Sequence, residues 1–239
     1  MGKLIRVLSA LVMSVMLVPI FCSADINDDL NLAVKNNDIK KINALIAKGA
    51  DVHAAKDVNG WTPLMWSASF GKLEIAKLLI NKGVDVNVQS NDGGTALMVA
   101  SYRGNTEIAE FLIDKGAQVN VQNSDKWSPL IWAASFGRSE TVKLLIDKGA
   151  DVKAKASDGT TALWRAAYNG HNEAVKFLIA AGADINAHDV SNSTVLDAAE
   201  LKNRWETSQI LKEAGAQRAS SLLGSSKQTY GAEEDQGEE

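Results

Sequence analysis

The sequence has a single cysteine, Cys22, and only three histidines, His53, His171 and His188, among its 239 residues. One cysteine cannot form a disulfide within the chain, so the stability of the fold has to come from packing. The histidines are far apart in the sequence, and no two of them have the spacing of zinc ligands. We therefore expect no metal site.

Signs of catalysis and of nucleic-acid or nucleotide binding are equally scarce. Basic and acidic residues number 25 and 29, a formal net charge of −4, so the composition gives no reason to expect nucleic acid as a partner. Asp92-Gly93-Gly94 is explained by a turn and not by a phosphate-binding loop. Because no set of residues converges in the pattern of an active site, we predict a non-enzymatic protein without a cofactor.

Residues 1–24 have the layout of a secretory signal peptide. Lys3 and Arg6 precede an uncharged stretch that ends at Phe21, and small residues occupy the −3 and −1 positions of a cut after Ala24. The uncharged stretch is shorter than the ~20 residues of a membrane-spanning helix. We predict cleavage after Ala24, no stable membrane insertion afterwards, and a periplasmic or secreted bacterial protein.

Two alternatives for this segment remain open. Cys22 could carry the lipid of a bacterial lipoprotein, although Ile20 and Phe21 before it fit that signal poorly. The segment could also stay uncleaved as an anchor.

The rest of the sequence repeats itself with a period of about 33 residues. Three positions of the repeat show the same period, and only the first step of the first series is longer by one: Gly49, Gly83, Gly116, Gly149, Gly182 and Gly215; Thr62, Thr95, Ser128, Thr161 and Thr194; and Gly71, Gly104, Gly137 and Gly170. Because three independent positions share one period, the chain is predicted to be built from one repeated supersecondary unit.

Each repeat is predicted to form two helices. Thr62-Pro63 places a capping hydroxyl before a proline at the first helical position. Gly71 ends this short helix, because glycine readily adopts the positive φ of a sharp turn. A second, apolar helix runs from Leu73 to Ile80, and Lys82-Gly83 ends it.

Several of these segments resemble the ankyrin repeat: Gly60-Trp61-Thr62-Pro63-Leu64, Gly71, residues 74–79 and residues 148–152. The resemblance covers about Asp28 to Ala216. It implies an all-α repeat solenoid, in which β-hairpin-like loops join helix pairs and a concave face binds another protein. We expect a monomer.

We divide the chain into residues 1–24, the signal peptide; 25–216, about six repeats; and 217–239, an acidic tail predicted to be disordered. The repeats span 28–56, 57–89, 90–122, 123–155, 156–188 and 189–216. The first and last are predicted caps, with Asn37 and Asn203 at the inter-helix glycine position. They also carry Lys41 and Thr207 where an interior repeat has Ile75, so we expect Lys41 and Thr207 to face solvent.

The sequence departs from the family at one position and shows a longer repeat. After Thr-Pro-Leu the family usually has a histidine that hydrogen-bonds neighbouring turns, and its absence puts those bonds in doubt. The residues there are Met65, Met98, Ile131, Trp164 and Asp197. In addition, Trp61, Trp66 and Phe70 recur as Trp127, Trp132 and Phe136, and Tyr102 recurs as Tyr168. The unit of duplication is therefore predicted to be a pair of repeats.

The resemblance also implies which residues face a partner: the one before the Thr-Pro-Leu motif and the two before the inter-helix glycine. The partner-binding residues predicted in this way are Trp61, Phe70, Tyr102, Arg103, Trp127, Phe136, Tyr168 and Asn169. Trp, Tyr and Arg dominate interface hot spots, and exposed apolar patches usually bind something. Trp66, Trp132 and Trp164 lie inside the first helices and are predicted to pack in the core.

The sequence thus predicts a protein–protein interaction scaffold, with the roles of inhibitor or immunity protein, protector and adaptor all open. One alternative is a glycan- or peptidoglycan-binding module, in which Trp61 and Trp127 are stacking platforms in a groove with few apolar neighbours. Another is a secreted effector that binds a host protein.

Overall fold

The computed structural model describes residues 23–53 and 55–222, which form an all-α repeat solenoid of helix pairs. The helices are α1 (Ser23–Lys35), α2 (Ile39–Ala47), α3 (Pro63–Ser69), α4 (Leu73–Asn81), α5 (Ala96–Arg103), α6 (Thr106–Asp114), α7 (Pro129–Ser135), α8 (Ser139–Asp147), α9 (Ala162–Asn169), α10 (Asn172–Ala180), α11 (Val195–Leu201) and α12 (Trp205–Glu213). Most of the predicted signal peptide and tail lie outside the described residues, but Ser23 and Ala24 belong to α1. None of the described helices is long and apolar enough to cross a membrane.

The first helix of each of the last five pairs begins at the predicted hydroxyl. Thr62, Thr95, Ser128, Thr161 and Thr194 each accept a hydrogen bond from the backbone N–H three residues later. The hydroxyl satisfies one of the amides that a helix start leaves without a partner.

Residues with positive φ separate the two helices of each pair, as predicted. Gly71, Gly104, Gly137 and Gly170 have φ between 65° and 79°. Asn37 and Asn203 replace glycine in the first and last pairs and have φ of 58° and 56°, which confirms their predicted left-handed conformation.

Successive pairs stack so that their first helices pack against each other more extensively than their second helices do. Small buried residues allow this close approach, among them Ala68, Ala100, Ala134, Ala167 and Ala199. The array therefore curves with the first helices inside. We call the surface formed by the first helices and the hairpin tips the inner face.

The hairpin tips are short turns that bond to one another along the array. Ser90 N–H donates to Gly94 O at 2.9 Å, and the other tips repeat this bond. Each tip after the first also donates to the tip before it, as from Ser124 N–H to Asp92 O at 2.9 Å. The tips at 155–161 and 188–194 additionally contain isolated antiparallel bridges.

Side chains after the inter-helix turns bond the third to sixth pairs to their predecessors. Arg138 Nε donates to Tyr102 O at 3.1 Å, and His171 Nε2 lies 3.1 Å from Ser135 O. The inter-helix glycine leaves the necessary room, since a Cβ on Gly137 would lie 2.5 Å from the His171 ring.

The position that carries histidine in the family is buried here. Met65, Met98, Ile131 and Trp164 are at most 7% exposed, so apolar packing replaces the family's hydrogen bonds at most of these positions. Trp164 keeps a bond to the next repeat, because its indole Nε1 donates to Ser193 O at 2.9 Å.

The two ends of the array differ from the prediction in part. Lys41 is exposed and pairs with Asp29 at 3.2 Å. Thr207, however, is 1% exposed; it faces the preceding pair, and its hydroxyl donates to Asn172 Oδ1 at 2.5 Å. The prediction that Thr207 faces solvent was therefore wrong.

The start of the tail is ordered, which corrects the prediction of disorder from residue 217. Gln217 N–H donates to Asn186 Oδ1 at 2.8 Å, and residues 219–222 are helical. Arg218 holds both carboxylate oxygens of Glu200, at 2.7 and 2.9 Å. This charged pair fixes the segment against the last helix pair.

Candidate functional site

Two matching clusters of aromatic side chains lie on the inner face. Trp61 packs on Trp66 with ring centroids 4.7 Å apart and planes at 49°, and Phe70 stacks on Trp66 at 5.9 Å and 23°. Two repeats later, Trp127, Trp132 and Phe136 show the same arrangement with 4.4 Å and 50°, and 5.9 Å and 21°. The matching geometry supports duplication of a pair of repeats.

Between the two clusters lies an apolar groove of about 280 Å³, which we call the Trp61 groove. Trp61 forms one wall. Tyr102 packs edge-on against Phe136 at 4.5 Å and against Trp132 at 5.6 Å, and these three rings form the other wall. The remaining lining residues are Ser90, Asp92, Gly94, Met98, Val99 and Asn123.

The polar end of the Trp61 groove is a hairpin tip. Asp92 Oδ1 accepts hydrogen bonds from Ser90 Oγ at 2.5 Å and from Gly94 N–H at 3.3 Å. Asp92 Oδ2 has no hydrogen-bond donor within the described part of the chain. A carboxylate oxygen thus stands beside an apolar groove and can accept a bond from a bound group.

In the second half of the array, two repeats later, Arg165 occupies the place that corresponds to the Trp61 groove. Its guanidinium lies 4.7 Å from the centroid of the Trp127 ring and 5.6 Å from that of Trp164. Its Nε donates to Thr160 Oγ1 at 2.9 Å, and its Nη2 pairs with Asp158. Cation–π contact and a charged hydrogen bond hold this arginine in place.

Asp158 is held ionised by these neighbours. Burial alone would raise the pKa of its carboxyl. The hydrogen bonds from Thr160 and the charge of Arg165 outweigh burial, so the pKa of Asp158 lies below its ordinary value.

The structure brings three of the eight predicted partner-binding residues, Trp61, Tyr102 and Phe136, into one groove. Phe70 is 46% exposed at the end of the first cluster. Arg103 lies 5.0 Å from the Tyr102 ring and donates to Ser69 Oγ at 3.3 Å.

The last three predicted residues are engaged within the protein. Arg165 covers Trp127. Tyr168 stacks on Trp164 at 5.1 Å, with Lys202 4.7 Å above its ring. The Asn169 amide donates to Ser135 O at 3.0 Å and to Arg165 O at 3.1 Å. Partner contact by all eight residues stays a prediction.

Sequence reasoning missed the residues that give the groove its shape. Trp132, predicted to pack only in the core, also forms a wall, and Met98 and Val99 line the groove. Arg165 was missed as well. Val99 and Arg165 occupy the same position of repeats three and five, so aligning the two halves of the array would have shown a short side chain opposite a long one.

The histidines do not form a site. His53 lies in the first repeat, His171 and His188 lie at opposite ends of a helix pair in the fifth, and His171 contacts backbone as described above. Burial lowers its pKa despite the bond to Ser135, and the charges of Arg204 and Arg138 lower it further. Within residues 23–53 and 55–222, no group of three or more His, Cys, Asp or Glu residues is placed to hold a metal ion.

Comparison with known proteins agrees with this architecture. A family model described as "Ankyrin repeats (3 copies)" matches residues 30–123 and 117–189, more than half of the chain. Mouse 2-5A-dependent ribonuclease is 36% identical over 70 residues, which span 28% of this chain and 10% of the ribonuclease. Rat ankyrin repeat and SAM domain-containing protein 6 is 36% identical over 64 residues, 27% of this chain and 7% of that protein.

Mouse protein phosphatase 1 regulatory subunit 27 is 38% identical over 64 residues, which span 27% of this chain and 41% of the subunit. The chain thus matches less than half the length of each of these three relatives. What these comparisons share is the repeat, and ankyrin repeats are in general non-enzymatic protein-interaction modules.

Proposed function

Because the chain belongs to the ankyrin-repeat family, whose repeats bind other proteins, we propose that it is a non-enzymatic scaffold that holds one partner protein on its inner face. The contact surface is the hairpin tips and first helices of the second to fifth repeats. The relative named as a phosphatase regulatory subunit supports a role in controlling another protein. An inhibitor, a protector and an adaptor all satisfy this proposal.

The Trp61 groove is the observation that carries the proposal. Aromatic rings form both walls, and the rims are backbone and short polar side chains. Aromatic anchors in desolvated pockets supply most of the binding energy of protein interfaces. A groove with apolar walls suits a protein side chain better than a sugar ring, which presents hydroxyls on its edges.

The compartment we propose is the bacterial periplasm or the exterior. The basic start, the uncharged stretch and the small residues at the −3 and −1 positions support a signal peptide cut after Ala24. Mass spectrometry of the exported protein tests this, since a mature chain beginning at Asp25 is expected. A lipidated Cys22 at the mature N-terminus would contradict it.

Affinity capture from periplasmic extract tests the proposed function. The bait is the mature protein, compared with Trp61→Ala and with Trp205→Ala. Trp205 is 79% exposed at the far end of the array and is not part of the groove, so its loss controls for removal of a tryptophan. We expect the wild type and Trp205→Ala to retain the same protein and Trp61→Ala to lose it.

Other outcomes of the capture experiment would favour one of the alternative functions or exclude the groove. Retention of cell-wall fragments instead of a protein would replace the proposal with the glycan-binding alternative. A protein retained only from host extract would favour the secreted effector. Equal loss in both tryptophan variants would show that binding does not use the groove.

A further inference from the structure

The two halves of the array offer a direct comparison of one site with and without an occupant. When the halves are aligned two repeats apart, Trp61 corresponds to Trp127 and Asp92 to Asp158, while Val99 corresponds to Arg165. In the second half, the Arg165 side chain rises from α9, crosses the Trp127 ring and pairs with Asp158. In the first half, Val99 is too short to do either, and the Trp61 groove is left at that place.

The groove retains two of the four groups that contact Arg165 in the second half, a tryptophan ring and an aspartate, while Thr160 and Trp164 correspond to Gly94 and Met98. The Trp61 ring lines it, and no cation of the described residues lies over that ring. Asp92 uses Oδ1 for the donors of its own tip, as Asp158 uses Oδ1 for Thr160. The Oδ2 atom of Asp92 corresponds to the Asp158 oxygen that pairs with Arg165. In the first half this oxygen is left for a ligand.

We propose that the Trp61 groove is a receptor for an arginine side chain of the partner protein, stacked on Trp61 and paired with Asp92. The inference rests on the proposed function and names the group that the partner inserts. Arginine suits this place because its flat guanidinium stacks on an aromatic ring while its edge pairs with a carboxylate. Its aliphatic stem would lie along Val99 and Met98.

The charge of the surface agrees with a cationic ligand. An aspartate recurs in the hairpin tips at Asp57, Asp92, Asp125, Asp158 and Asp189. Two cations lie near these rings, Arg103 over Tyr102 at 5.0 Å and Lys35 over Trp66 at 3.6 Å, but neither lies over Trp61. An approaching arginine therefore meets acidic tips at the groove.

The first test measures arginine binding to the isolated protein by NMR. The probe is N-acetyl-arginine amide, whose blocked ends mimic a residue within a chain. The readout is the indole N–H signals of the six tryptophans, assigned by Trp→Phe variants. We expect the Trp61 signal to shift in a saturable way while the Trp127 signal, already covered by Arg165, does not move.

Three control compounds separate arginine recognition from general binding. The citrulline and leucine analogues, which lack the charge, are expected to bind at least about fivefold more weakly. Equal binding by either would overturn the proposal and leave a general apolar groove. Tighter binding of free arginine than of the blocked probe would point to a site for the amino acid and would also overturn it.

Variants that exchange the two halves provide the second test. Val99→Arg places the side chain of position 165 in the groove and is expected to abolish the Trp61 shift. Arg165→Val opens the second half, so the Trp127 signal should now respond to the probe. Asp92→Asn should weaken binding about fivefold or more.

These variants keep the proposal testable even if one of them folds poorly. A wild-type Trp61 signal that ignores the probe, or a Trp127 signal in Arg165→Val that stays unmoved, overturns it. The result is independent of affinity capture. A partner retained through Trp61 without arginine binding would refute only this inference, whereas arginine binding without a partner would refute only the proposed function.

Discussion

At the scale of single residues, the backbone conformation of the hairpin tips shows one position where the residue type is not the one best suited to its φ angle. The fourth residue of each hairpin tip has positive φ, and Gly60, Gly93 and Gly159 satisfy it without strain. The tip before Trp127 instead has Lys126 at φ 59°. A side chain with a Cβ is disfavoured there, so this tip stores strain beside the second aromatic cluster.

Lys126→Gly is therefore expected to stabilise the protein by about 0.5–1 kcal/mol, because relief of the left-handed strain exceeds the extra chain entropy of glycine. The measurement is the urea midpoint at constant transition slope. Asn192→Gly, at φ 64° in the last tip, is the control and should gain less, since asparagine tolerates this conformation. An equal gain in both would refute the argument from side-chain type.

His171 makes the stability depend on pH. Its pKa lies below the ordinary value of 6.5, first because it is buried. As pH falls below about 6.5, the unfolded chain takes up a proton at this residue before the folded one does, so stability falls until the lowered pKa is reached. We expect the urea midpoint to drop between pH 7.5 and pH 5.5, and His171→Asn to reduce that drop. An unchanged pH profile in the variant would contradict this assignment.

At the scale of elements, residues 217–222 are fixed against the last helix pair, although the composition of the sequence assigned them to the tail. Glu200 occupies a position that is a buried alanine or serine in other first helices, such as Ala167 and Ser101. It binds Arg218 and, at 2.9 Å, Lys212. The hydrogen bond from Arg218 is the main reason that the pKa of Glu200 lies below its ordinary value of 4.5.

Glu200→Gln should lower the free energy of unfolding at pH 7 by on the order of 1 kcal/mol, since the pair is partly exposed. The difference from wild type should persist above about pH 4.5 and vanish as the pH falls through the lowered pKa of Glu200. Hydrogen exchange at Ala219, whose N–H donates to Asp197 at 3.0 Å, should accelerate. Glu173→Gln, in an exposed pair with Lys176, is the control. A similar loss there would show that the contact of Glu200 with Arg218 and Lys212 has no special role in stability.

Sequence periodicity could predict the elements but not what lies between them. The repeat period, the hydroxyl caps and the left-handed Asn37 and Asn203 follow from local chemistry, and the structure confirms them. The Trp61 groove depends on Val99 being short beneath rings from three repeats, and local patterns carry no such information. Likewise, the order of residues 217–222 depends on Arg218 reaching a carboxylate 18 residues earlier.

At the scale of the whole molecule, each helix pair contacts only its neighbours, so stability is a sum of pair and interface contributions. Positions at which one side chain crosses between pairs therefore control cooperativity. Gly137 is such a position, because the His171 ring lies directly on it. Gly71 is its equivalent two pairs earlier, with nearly the same φ, but its nearest neighbour, Asn105 Oδ1, is 3.3 Å from an added Cβ, which leaves room for the bond from Asn105 Nδ2 to Ala68 O.

Gly137→Ala and Gly71→Ala share the strain of an alanine at positive φ, about 1–2 kcal/mol. Only Gly137→Ala also displaces His171 and breaks its bond to the preceding pair, for a further loss of about 1 kcal/mol. We expect Gly71→Ala to unfold in one transition at a lower urea concentration. In Gly137→Ala the last two pairs should unfold first, seen by loss of hydrogen-exchange protection in residues 162–213 before residues 63–114. A single transition with equal losses in both variants would show that the array does not depend on this contact for its cooperativity.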